Sequence, residues 1–147
     1  MKALLYPFMI VAAVGLGLST AVHLGAWMGF ETPGIATGIH AGIFAVWLPA
    51  VFVTLRLGFS HGPRDLWRGV LRGTPSWMRI GGVCTFGYAI VNFGGFVLLL
   101  PRDGSLAEVN TLRAFSGNWM AFYGAAFVIL YSALHAQGAN QSRKPAA

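Results

Sequence analysis

The chain has 147 residues, of which 56% are hydrophobic and 10% charged; a soluble domain carries about 25% charged residues, so too few remain here to cover a water-facing surface. A formal charge of +6 raises nucleic acid as a partner, but no soluble basic domain exists to present it, and excess Lys and Arg in a membrane protein marks cytoplasmic loops. The single cysteine, Cys84, excludes an internal disulfide and any multi-cysteine metal site.

A membrane-spanning helix needs about 20 mostly apolar residues. The first such stretch covers about 4–28. It follows Met1 and Lys2 as a signal peptide would, but it exceeds an h-region of about 7–15 residues and no small-residue cleavage site follows it. Thr32 and Pro33 then read as an N-cap and first helical residue. The second span, about 34–57, must therefore be the antiparallel neighbour of the first. Pro49 lies inside it, where it removes one backbone bond and frees the carbonyl of Ala45. The longest connection follows, from Ser60 to Arg79. Pro63 starts an expected interfacial helix over about 63–73. Its Arg64, Arg68 and Arg72 recur every fourth residue and are positioned for lipid headgroups, as in any ordinary positive-inside anchor. Thr74 to Trp77 turn the chain into a third span, about 80–100. A polar, partly structured outer loop, Pro101 to Ser116, leads to the fourth, about 117–136. The first 137 residues form one domain, and 138–147 are an expected flexible cytoplasmic tail.

None of the four spans carries a charge in its central part, and uninterrupted apolar runs exclude the alternating pattern of a barrel strand. Lys2, Arg56, Arg64, Arg68, Arg72, Arg79, Arg143 and Lys144 fall on one side of the expected membrane. Arg102 and Arg113 fall on the other, with Glu31, Asp103 and Glu108. The basic side is cytoplasmic. Trp27 and Trp119 match the outer aromatic belt, Trp67 and Trp77 the inner one. The expected fold is an all-α, four-helix transmembrane bundle, up-and-down, with both termini cytoplasmic.

Polar groups at depth are costly and usually face the interior. His23 and His40 are placed symmetrically about the first turn, so they share one level, about 6–9 Å below the outer boundary at 1.5 Å per residue. Asn92 and Tyr123 fall in the same outer half, giving one hydrogen-bonding group per span. Thr85 and Tyr88 share the face of Asn92, and Ser19 and Thr85 extend the cluster. The plainest reading is a structural polar network of neutral histidines. A second makes His23 and His40 axial ligands of a b-type haem, although helices at the usual 8–10 Å would have to separate to admit it. A third is a proton or substrate path, as in a small proton-coupled transporter, against which stand the lack of a buried carboxylate and of an inverted repeat. Copper held by the histidines with Met28 or Met120 is chemically feasible. His135 reads as interfacial, and Cys84 as an inert apolar thiol. No Ser-His-Asp set, HExxH or glycine loop with lysine supports catalysis.

Small residues recur at spacing four: Gly15, Ser19 and His23; Gly34, Gly38 and Gly42; Gly117, Ala121 and Ala125. They allow close helix approach within the bundle first, and against a protein partner or second copy otherwise. Three segments carry a resemblance: His40 to Phe44 running on to Val46-Trp47-Leu48-Pro49, then Pro75 to Arg79, and Gly117 to Tyr123. In these the chain resembles a family of small bacterial four-span integral membrane proteins. The resemblance implies a multi-pass protein of the bacterial cytoplasmic (inner) membrane and implies no activity. Read as a whole, the sequence describes a non-catalytic membrane component or accessory subunit, with the lipid bilayer as its surroundings and no nucleic-acid partner.

Overall fold

The structure is a computed structural model that describes residues 2–58, 65–99 and 108–141. Among these the protein is all-helical: α1 Lys2–Trp27, α2 Pro33–Gly58, α3 Leu66–Val70, α4 Ser76–Leu98 and α5 Glu108–Gln141. Four of the five, all but α3, are long and apolar enough to cross a membrane.

The α1–α2 turn is set by local chemistry. Gly29 takes φ +86, a left-handed conformation that costs glycine nothing. The amide of Phe30 then reaches back to the carbonyl of Gly25 at 2.9 Å and that of Gly29 to Ala26 at 3.1 Å, the bond pattern of a Schellman ending. Helix α2 starts at Pro33 as expected, and the carbonyl of Thr32 accepts from Ala36 at 3.1 Å. The expected side-chain cap is not made, however: Thr32 Oγ1 is buried without a partner. Helix α2 continues through Pro49.

Two helices run beyond their sequence boundaries. Helix α4 begins at Ser76, and α5 begins at Glu108 rather than 117 and reaches Gln141. The structured part of the expected outer loop is residues 108–116, which continue the fourth span as helix. The interfacial helix is cut to Leu66–Val70. Arg64 lies outside the described residues, Arg68 sits in the helix and Arg72 in the turn after it, both exposed. Arg68 faces Asp65 at 3.6 Å. The opposite side of this short element is anchored: Val70 is fully buried with Leu66 and Leu71 packed on the core, and the Gly73 amide donates to Ser132 Oγ of α5 at 3.0 Å.

Helix α5 is the hub. It packs closely against α1, α2, α3 and α4, whereas α4 packs closely only against α5 and reaches α1 through the Tyr88 side chain. Within the spanning windows, 67% of α5 is buried inside the protein against 6% of α4. Glycines set the closest seams. A Cβ at Gly15 would fall inside the Tyr123 ring, and one at Gly42 would strike the Tyr123 hydroxyl. The other two members of the α2 stripe, Gly34 and Gly38, face open space, so the expected use of that stripe in internal packing holds only at Gly42.

Candidate functional site

The polar side chains of the bundle collect near the end that holds Trp27 and Glu108, and they do so in two groups. The first lies between α1, α4 and α5 around His23, which is 4% exposed. Its Nδ1 lies 2.8 Å from Ser116 Oγ and its Nε2 lies 2.6 Å from the Tyr88 hydroxyl. The Trp27 indole N–H donates to the same Nε2 at 3.1 Å.

These bonds fix the tautomer. An indole N–H can only donate, so Nε2 carries the lone pair. The proton of a neutral ring then sits on Nδ1 and is given to Ser116 Oγ. Ser116 in turn donates to the carbonyl of Leu112 at 2.6 Å. Every link has one donor and one acceptor, which is how a buried polar chain avoids the cost of an unpaired group.

Asn92 joins this flank through backbone. Its Nδ2 donates to the carbonyls of Arg113 and Ala114 at 3.0 and 3.3 Å. It packs over Gly117, where a Cβ would come within 2.6 Å of that nitrogen and 3.5 Å of His23 Cε1. Arg113 closes the end. Its Nε donates to the carbonyl of Ala26 at 2.8 Å and Nη1 to Asn110 Oδ1 at 3.3 Å, while its guanidinium lies 5.0 Å from the Trp27 ring centroid, within range of a cation–π contact. Beside these groups runs a cleft of about 440 Å³ between α4 and the α1–α5 pair.

The second group lies on the α2 flank of α5. Trp119 Nε1 donates to His40 Nδ1 at 3.0 Å, which leaves the proton of a neutral His40 on its exposed Nε2. Tyr123, 2% exposed, donates its hydroxyl to the carbonyl of Ile39 at 2.7 Å. A shallower cleft of about 420 Å³ runs past His40, Trp119 and Glu108.

The arrangement corrects the single four-helix cluster expected from depth. His23 and Asn92 come together on the α4 flank, His40 and Tyr123 on the α2 flank, and no hydrogen bond or ring contact among the described residues joins the two histidines. Their levels do agree: they bond to Ser116 and Trp119, three residues apart on one helix, about 4.5 Å. Depth gave the level and not the side. Ser19 and Thr85 do not extend the cluster, because each hydroxyl turns back to its own helix, to Gly15 and Gly81 at 2.7 and 2.8 Å. Met28 is 69% exposed and makes no link to either histidine. His135 stacks on Tyr131 at 3.9 Å between centroids, and Cys84 is exposed. Ser116 and Arg113 are the functional-site neighbours that the sequence reading assigned to a loop. A signal was available, since Leu112, Ser116, Trp119 and Tyr123 continue the helical spacing toward Glu108.

No family model, curated protein or solved structure matches this chain.

Proposed function

We propose that this protein is a non-catalytic component of a bacterial cytoplasmic membrane, a four-helix, up-and-down bundle with both termini on the cytoplasmic side that serves as an accessory subunit. The observation that carries the reading is the closed bonding of His23. Both ring nitrogens are committed to partners within the chain, so this buried histidine has no lone pair left for a metal, haem or substrate. Haem held by His23 and His40 would require release of Trp27 and Tyr88 from Nε2, and the two rings, which lie on separate flanks of α5, would have to face one shared space.

The order of contacts supports the topology. Along the α1–α5 seam Ala26 meets Arg113, His23 meets Ser116 and Gly15 meets Tyr123, so the two helices run in opposite senses. Helix α4 likewise opposes α5, pairing Asn92 with Arg113 and Gly82 with Val128. The excess of arginine on the α3 side supports the orientation. The apolar outer face of α4, with Val83, Ile90 and Val91 each more than half exposed, supports a role beside another protein.

The test is a visible spectrum of the detergent-purified protein, followed by proton-flux measurements in liposomes. A colourless, folded protein without flux is expected. A Soret band that disappears in His23→Ala or His40→Ala, or a flux that needs either histidine, would overturn the proposal.

A further inference from the structure

The cleft between α4 and the α1–α5 pair joins features that the His23 network does not require. Its polar end is Arg113, which has five N–H donors and gives two of its nitrogens to Ala26 and Asn110. No carboxylate partners it among the described residues. Its walls are mostly apolar, with Val91, Phe96 and Leu99 of α4, and the polar atoms of Tyr88 and Asn92 beside them are turned to His23 and to the α5 backbone. Gly95 lies in that wall, and a Cβ built there meets nothing within 4 Å. Val91 and Leu99 are 74% and 83% exposed, so the cleft opens sideways, along the helices, rather than into a sealed interior. Trp27 stands at the Arg113 end, at the last residue of α1, the level at which indole rings meet headgroups.

We infer that this cleft binds one anionic phospholipid, its headgroup on Arg113 and an acyl chain along α4 over Gly95. Charge complementarity selects the occupant. A guanidinium with donors to spare binds phosphate strongly and with defined geometry, a lipid without a headgroup cation leaves that phosphate charge uncompensated, and Val91, Phe96 and Leu99 offer an apolar track for a chain. The inference rests on the membrane placement proposed above and goes beyond it by naming a specific lipid class and its site.

Native mass spectrometry of the full-length protein in detergent tests this, with phosphatidylglycerol, phosphatidylcholine of the same chains and oleate as probes. Retention of one phosphatidylglycerol, about tenfold (about 1.4 kcal/mol) tighter than phosphatidylcholine, is expected, because the choline cation of the latter offsets the phosphate charge that Arg113 attracts. Arg113→Gln should remove that preference. Gly95→Phe fills the cleft without touching the bundle core and should weaken phosphatidylglycerol binding while thermal stability is kept. That second variant decides the matter if Arg113→Gln does not fold. Equal binding of the two phospholipids would overturn the site. So would binding that survives Gly95→Phe and is lost in Arg68→Gln or Arg72→Gln, or a cleft that takes oleate and excludes phosphatidylglycerol. A folded, detergent-dependent protein with no lipid preference sinks this site alone; a chain soluble without detergent sinks the membrane reading as well.

Discussion

Tyr123 is the side chain on which two seams depend. Its ring occupies the space that a side chain at Gly15 of α1 would take, and its hydroxyl occupies that of one at Gly42 of α2 and bonds the α2 backbone at Ile39. Ring and hydroxyl can be separated. Tyr123→Phe keeps the ring and should cost only about 0.6 kcal/mol, the average for an interhelical hydrogen bond in a membrane. Gly15→Ala pushes a methyl group into that ring and should cost about 1–3 kcal/mol, the range for overpacking a tight core. Unfolding titrations in mixed detergent measure both, and a Gly15→Ala cost below that of Tyr123→Phe would contradict the close seam. His23 gives a second check at this scale. Nitrogen NMR of the ring should show Nδ1 protonated and Nε2 bare, and Ser116→Ala should destabilise more than Tyr88→Phe. The first leaves a buried N–H with no acceptor, whereas after the second Nε2 still receives the Trp27 proton.

At the scale of elements, the sequence made four spans legible because uncharged runs of about 20 residues have no stable place in water. It did not show which of them is central. Each span is apolar nearly all round, and a helix of that kind carries no stripe to mark its buried face. Helix α5, the most buried, is also the one whose start was misread. Glu108, Asn110 and Arg113 look like loop residues when counted as polar, yet on the helix Arg113 reaches both Ala26 and Asn110. The two histidines show the same limit from another side. Equal distance from a turn fixes depth by the rise per residue, but azimuth depends on how α1 and α2 dock on α5, and hydropathy does not encode that. The central place of α5 predicts unequal tolerance. Leu130, fully buried, and Val83, 72% exposed on α4, sit in comparably apolar runs. Lipid is as apolar as a protein core, so truncation loses packing and not transfer from water. Leu130→Ala should cost about 1–3 kcal/mol through the cavity it leaves, and Val83→Ala should stay within about 0.5 kcal/mol. Similar costs at the two positions would mean that α4 is packed as tightly as α5, against a partner that survives purification.

For the whole molecule, the decisive quantity is which end of the bundle faces the cytoplasm. The α3 end carries Arg56, Arg68, Arg72 and Arg79, while the opposite end holds Glu31 and Glu108 with Arg113. Arginine retained on the cytoplasmic side sets the orientation, and acids contribute little. Arg113 is one cation against the four at the α3 end, too few to offset that excess. The single native cysteine makes a direct measurement possible. In a Cys84→Ala background, cysteine placed by Glu108→Cys should react in intact cells with a thiol reagent that does not cross membranes. Cysteine placed by Arg72→Cys should react only after the cells are opened. Both positions are exposed, so neither result would be a matter of burial. The reverse pattern would place the arginines outside, and with them the Arg113 cleft would move to the cytoplasmic leaflet.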